Sequence, residues 1–145
     1  MPSSAGQVLW IVFSLNGMVE HVAYVDTSAL VAIAFDEQGG TELAQRMAGF
    51  SRLVSSNLLE AELRAAFARE NLAFPPAILS GIEWILPDRV LTPEFATALQ
   101  AGYLRGADLW HVATALYISP DPGDLLFVSL DVKQQAVVQA LGFRV

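Results

Sequence analysis

Apolar and polar positions alternate along the chain in short strand-like runs and longer stretches of helical spacing. Residues 21–25 read as a short apolar strand. Residues 28–35 form a helical apolar turn, broken by Gly39-Gly40. Residues 41–50 have helical spacing, with Leu43 and Met47 on one face. Residues 52–55 predict a second strand, and Asn57 is placed to cap a long helix reaching about Asn71. Pro75-Pro76 predicts the start of another helix, ending near Leu86. Residues 89–91 predict a third short strand, and Pro93 opens a helix through Gly102. An Ala-rich helix follows from Asp108 to about Ile118, then a turn at Asp121-Pro122-Gly123-Asp124. Residues 125–130 (LLFVSL) are the most strand-like run. A last helix spans 131–141, is closed by Gly142, and leaves 143–145 as a fifth short strand. This alternation predicts an α/β fold: a parallel sheet of four to five strands with helices on both faces.

Residues 1–17 stand outside that rhythm. They read as an N-terminal extension, non-native or disordered, with Met18 as an alternative start and 18–145 as the single domain. Asn16-Gly17 between two apolar runs is also a hairpin signal. The following strand reads as central and parallel, which leaves little room for a hairpin partner. The apolar run 8–15 (VLWIVFSL) lacks a cationic leader and an A-x-A-like cleavage site, so it is not read as a signal peptide. No run reaches the roughly 18 apolar residues that span a bilayer.

Composition narrows the chemistry. With 145 residues and 54% hydrophobic content, one domain can bury a full core. There is no cysteine, which excludes a disulfide framework, a thiolate zinc site and a cysteine nucleophile. It also suits a cytoplasmic location. The net charge of −7 argues against a general nucleic-acid binder, because phosphate affinity comes mainly from Lys and Arg. Seven Arg and one Lys remain, enough to line one cleft.

In a parallel α/β sheet, ligand sites lie beyond the C-terminal ends of the strands. Asp26 directly follows the first strand and Asp131 the last strong one. Asp108 opens a helix, and Glu62 lies inside one with Glu60 as a rival. Taken singly, Asp at a strand-to-helix junction is an ordinary helix cap, and a helical Glu is ordinarily solvated. Together they mean something else. Four carboxylates converging to about 5 Å would repel by about 3 kcal/mol per pair at an effective dielectric of about 20. Six such pairs approach about 20 kcal/mol, more than a domain's whole stability. Such a cluster needs a cation or protonated members. Oxygen-only ligands favour Mg²⁺ or Mn²⁺ over zinc.

The segments that carry these acids resemble the PIN domain, and most closely the VapC-like toxins of bacterial toxin–antitoxin pairs. Tyr24-Val25-Asp26-Thr27-Ser28-Ala29-Leu30 looks like the first motif of that family, and Ser56 through Glu62-Leu63 like the second. Arg105-Gly106-Ala107-Asp108-Leu109-Trp110-His111-Val112-Ala113-Thr114-Ala115-Leu116 resembles the third. Phe127-Val128-Ser129-Leu130-Asp131, with Lys133 and then Ala140-Leu141-Gly142, resembles the fourth. The likeness covers about residues 22–145. It implies a three-layer α/β/α PIN-like fold and hydrolysis of RNA phosphodiester bonds. By resemblance, Asp26, Glu62 and Asp108 hold Mg²⁺ or Mn²⁺, and Asp131 completes the set directly or through water. The cation would activate water and stabilise charge on the phosphate.

Thr27, Ser28 and Ser129 are candidates to orient the carboxylates. Arg64, Arg69, Arg105 and Lys133 are candidate phosphate contacts. His111, one turn from Asp108, is read as core packing rather than as a general base, and Trp84, Trp110 and the Phe residues as core. The resemblance further implies an RNA substrate, a cognate antitoxin whose Arg approaches the acids, and a homodimer, with no membrane partner. Three alternatives stay open: an inactive PIN-fold interaction module, a PIN nuclease of RNA processing, and a doubly wound phosphatase or phospho-accepting receiver using Asp26. Asp26-Thr27-Ser28 lacks the D-x-D that the phosphatase would carry.

Overall fold

A computed structural model describes residues 21–145; the extension, its hairpin alternative and Met18 lie outside them. Four strands form the sheet: β1 (Val22–Val25), β2 (Arg52–Ser56), β3 (Ile82–Ile85) and β4 (Leu126–Val128). Between them run α1 (Thr27–Ala34), α2 (Gly40–Met47), α3 (Leu58–Arg69), α4 (Thr92–Ala101), α5 (Gly106–Ile118) and α6 (Val132–Leu141). Short 3₁₀ turns occupy Pro76–Leu79 and Pro122–Asp124. The strand order is β3-β2-β1-β4, and every pairing is parallel.

β1 is buried on both faces, so its sequence VAYV is apolar throughout rather than alternating. Val22 and Tyr24 point into one core with Phe127, Val112, Ile118, Val137 and Val138. Ala23 and Val25 point into the other with Leu30, Leu43, Met47, Leu59, Leu63 and Phe67. Helices α1, α2 and α3 therefore cover one face, and α4, α5 and α6 the other. This is the expected three-layer α/β/α arrangement. Leu59, Leu63 and Phe67 recur every fourth residue, which keeps one stripe of α3 on the sheet. Burying each such side chain stabilises the fold by about 1.5–3 kcal/mol. Gly40 is where α2 meets α1: a Cβ there would lie 2.6 Å from the Ala32 carbonyl oxygen.

Several expectations are corrected. The helix expected from Pro75-Pro76 to Leu86 is a single 3₁₀ turn followed by β3. Gly81, with φ of +85°, ends the turn, and Ile82 to Ile85 pair with Leu53 to Ser56 of β2. Residues 89–91 are not a strand. Arg89 instead pairs with Glu94 of α4 and lies over the Tyr117 ring, which ties the segment down without a sheet partner. Asn57 does not cap α3 through its side chain; Ser56 Oγ accepts the Leu58 N–H at 3.1 Å instead. Residues 143–145 contribute one bridge, Arg144 to Leu126, rather than a full strand. No helix among the described residues is long and apolar enough to cross a membrane.

Candidate active site

The strand order reverses between β1 and β4. The chain leaves β1 toward β2 and β3, and returns on the other side as β4. A crevice opens at such a reversal, beyond the carboxyl ends of the strands. Asp26 and Asp131 sit there because one follows β1 and the other follows β4 by three residues.

Asp26 continues the ladder, its N–H donating to Val128 O at 2.9 Å. Its carboxylate is buried and doubly held: Oδ2 accepts the Ser28 N–H at 3.0 Å, and Oδ1 accepts from Gln134 Nε2 at 3.0 Å. Asp131 caps α6, with Oδ1 accepting the Gln134 N–H at 2.9 Å. Both are therefore helix caps, and both also line the crevice end of the sheet. Glu62 projects from α3, and its Oε1 accepts from Thr27 Oγ1 at 2.7 Å and from His111 Nε2 at 2.9 Å. Burial alone would push this carboxyl up, but those hydrogen bonds outweigh it and hold it below its ordinary value. Glu60 pairs with Arg64 at 2.7 Å instead, so Glu62 is the member of the pair that reaches the site.

Asp108 lies in the first turn of α5 and accepts no side-chain hydrogen bond among the described residues. Burial raises its carboxyl above the ordinary value, and the charges of Asp26, Asp131 and Glu62 push it further, against the pull of Arg105. The four acids thus share one electrostatic neighbourhood. Beside them a cleft of about 470 Å³ is lined by Tyr103, Leu104, Arg105, Asp108, Asp131, Val132 and Lys133.

Arg105 and Lys133, two of the candidate phosphate contacts, line this cleft. Arg64 does not line it; it is held by Glu60 and sits 4.3 Å from the Phe74 ring centre. Arg69 pairs with Glu70. Of the three expected orienting residues, Thr27 touches Glu62 directly. Ser28 serves Asp26 through its backbone, while its hydroxyl accepts the Leu130 N–H and contacts Ser129 Oγ at 3.3 Å. Ser129 acts at one remove: its hydroxyl donates to Gln134 Oε1 at 2.6 Å, and Gln134 donates to Asp26.

Two residues central to this geometry were not among the expected site residues. Gln134, fully buried, also donates to the Asp108 backbone carbonyl at 3.3 Å, so it joins β1, α5 and α6. Its signal was present as Gln three residues after an Asp cap, a spacing normally read as a capping box. Here the side chain turns inward instead. His111 was read as packing or helix hydrogen bonding, one turn from Asp108, rather than as a site residue. It is buried, but it is hydrogen-bonded to Glu62, to Thr27 and to Tyr24, and lies 3.9 Å from Asp26. Trp110 likewise is more than core, since its indole N–H donates to Ser56 Oγ at 2.7 Å.

Among the described residues, no group of three or more His, Asp or Glu side chains is drawn close enough to hold a metal ion as it stands. The donor chemistry nevertheless fits a hard divalent cation. Every available ligand is a carboxylate oxygen, and Glu62 Oε2 and both Asp108 oxygens carry no hydrogen bond among the described residues. The mutual repulsion felt by Asp108 is the kind a cation relieves. Magnesium keeps several of its own waters and takes few protein carboxylates directly, so an open set suffices.

A doubly wound parallel sheet with carboxylates at its point of reversal defines an α/β domain whose cleft sets Asp108 and Asp131 beside Arg105 and Lys133. Compared with models of known families, residues 23–134 match the PIN domain. The chain belongs to the PIN domain family, whose members are generally metal-dependent nucleases. Neither the curated proteins nor the solved structures gave a significant match.

Proposed function

We propose that this PIN domain is a Mg²⁺- or Mn²⁺-dependent endoribonuclease, acting as the toxin of a VapBC-like toxin–antitoxin pair. The observation that carries the nuclease reading is the shared neighbourhood of Asp26, Glu62, Asp108 and Asp131 at the sheet's point of reversal. Asp26, Glu62 and Asp108 would hold the cation, with Asp131 completing the set directly or through water. When bound, the cation supplies Lewis-acid activation of water and charge stabilisation at the phosphate. The chain's own residues do the rest. Gln134 and Ser28 fix the Asp26 carboxylate, and Thr27 fixes Glu62. Arg105 and Lys133 line the cleft with Asp108 and Asp131, and would take the flanking phosphates of the RNA. They are the two cations that line this cleft, so part of the substrate affinity would come from them.

The toxin assignment rests on the resemblance of the four motifs to VapC-like proteins. It implies a cytoplasmic enzyme, a homodimer, and an antitoxin that lays an Arg over the acids. A second reading, an inactive PIN-fold interaction module, is favoured by the open spacing of the acids. Purified protein decides between them: it should cut RNA with Mg²⁺ or Mn²⁺, stop with chelator, and lose cleavage on Asp108→Asn. Unchanged metal-dependent cleavage by the Asp108→Asn protein would show that the site is misassigned. Metal binding without cleavage of any RNA tested would favour the module. A small neighbouring gene encoding a DNA-binding antitoxin would bear directly on the toxin role.

A further inference from the structure

The hydrogens in the buried network around His111 can be assigned one by one. Thr27 has one hydroxyl hydrogen, and it goes to Glu62 Oε1. Its oxygen is then an acceptor toward His111 Nε2, 3.1 Å away. Glu62 Oε1, a carboxylate oxygen, is also an acceptor toward Nε2 at 2.9 Å. Two acceptors face Nε2, so Nε2 must carry the hydrogen. On the other side of the ring, Tyr24 Oη accepts the Ser56 N–H at 3.1 Å and lies 2.8 Å from His111 Nδ1; with the ring hydrogen on Nε2, Nδ1 is the acceptor for the phenol hydrogen. Burial pushes the Tyr24 phenol well above its ordinary value, so that hydrogen stays in place. Ser56 is itself anchored, its Oγ accepting from Trp110 Nε1 and from the Leu58 N–H.

We infer that His111 is a positioning residue. Tyr24 holds the ring with Nε2–H outward, and that N–H fixes Glu62 Oε1, which would leave Oε2 as the oxygen available to a cation. This rests on the metal-dependent reading given above. Three observations carry it: the saturation of Glu62 Oε1 by two donors, the absence of any protein partner on Oε2 among the described residues, and the burial of Tyr24 and Ser56 behind the ring. Without the ring, Glu62 would be free to turn between oxygens, and a half-exposed glutamate has several rotamers to lose on binding a cation. Outer partners of metal-binding carboxylates and imidazoles act in this way elsewhere.

Two independent measurements test it on the full chain. The ¹⁵N spectrum of the His111 ring reports the tautomer without any metal, and protonated Nε2 with acceptor Nδ1 is expected. A ring protonated at Nδ1 would overturn the assignment. Mn²⁺ affinity, by calorimetry, reports the consequence. His111→Leu should weaken Mn²⁺ about 10- to 100-fold, the usual effect of removing such a partner. His111→Gln, which returns an N–H to the Nε2 position, should recover most of that loss. Equal losses in both variants, or wild-type affinity in a folded His111→Leu protein, would overturn the proposal. Should His111→Leu fail to fold, Tyr24→Phe takes its place: it spares the Nε2–H but frees the ring, and a weaker Mn²⁺ affinity is expected. Unchanged affinity there would count against the role given to Tyr24. Wild-type protein that binds no Mn²⁺ removes the metal reading itself, while the ring spectrum still decides the tautomer.

Discussion

Replacing Gln134 by Leu tests whether the acidic site is held together by hydrogen bonds through the core. The side chain is fully buried and makes three bonds, to Asp26 Oδ1 at 3.0 Å, to Asp108 O at 3.3 Å and from Ser129 Oγ at 2.6 Å. A bond to an ionised carboxylate is worth about 1.5–3 kcal/mol, and each neutral one about 1 kcal/mol. Leu has a similar volume, so little cavity opens, and its own burial offsets about 1–2 kcal/mol. The expected net loss is about 2–4 kcal/mol, a large share of the roughly 5–15 kcal/mol that holds a domain folded. At about 2–4 °C per kcal/mol, Tm should fall by about 5–15 °C. Urea unfolding followed by circular dichroism measures this directly. Gln134→Glu is the sharper variant, because it keeps the shape and sets a second carboxylate against Asp26. It should lose at least as much as Leu at neutral pH, and recover part of that loss once acidified enough to protonate the new carboxyl. A loss below about 1 kcal/mol in the Leu variant would refute the reasoning, since an unpaired buried carboxylate oxygen cannot be that cheap.

Other outcomes follow from the same geometry. Glu62 is held below its ordinary value, so its contribution is present above that value and fades as pH falls through its folded-state pKa; Glu62→Gln should flatten the acid limb of urea midpoints measured between about pH 3 and 7. Asp108 has the opposite sign, because its raised carboxyl makes ionisation cost the fold as pH rises. Asp108→Asn should therefore raise the midpoint at neutral pH in chelator, and a lower midpoint would contradict the repulsion assigned to it. Arg105→Ala with Lys133→Ala should raise KM for RNA and leave Tm nearly unchanged. The slope of log affinity against log salt should become shallower by about 0.7 for each phosphate no longer neutralised, and an unchanged slope would remove both residues from the substrate path.

Much of this molecule was legible from residue order. Asp26 and Asp131 were placed by the rule that sites lie beyond strand ends, and the structure puts both there as helix caps. The misreadings cluster between residues 75 and 91. Pro75-Pro76 does open a helical turn, but Gly81 ends it, and the four residues after it become a strand because β2 offers an open edge. Nothing local marks that segment as a strand: Ile82, Glu83, Trp84 and Ile85 do not alternate cleanly, and the edge position tolerates Glu83 because Arg52 pairs with it across the strands. The partners of His111 were hidden for a related reason. A histidine among Ala and Val reads as core, and it is buried; its hydrogen-bond partners come from residues 49 to 87 positions away.

By itself, then, the sequence determined the alternation of strands and helices, the three-layer class, and which acids stand at strand ends. These depend on local periodicity and on capping, which are short-range. The withdrawal of Arg64 onto Glu60 and Phe74 was decided only by tertiary structure. So were the burial of Gln134 against Asp26 and the ring of donors around Glu62. Each depends on which helix face meets which strand end, and that is settled when β1 and β4 pair and bring residues more than a hundred positions apart into hydrogen-bond range.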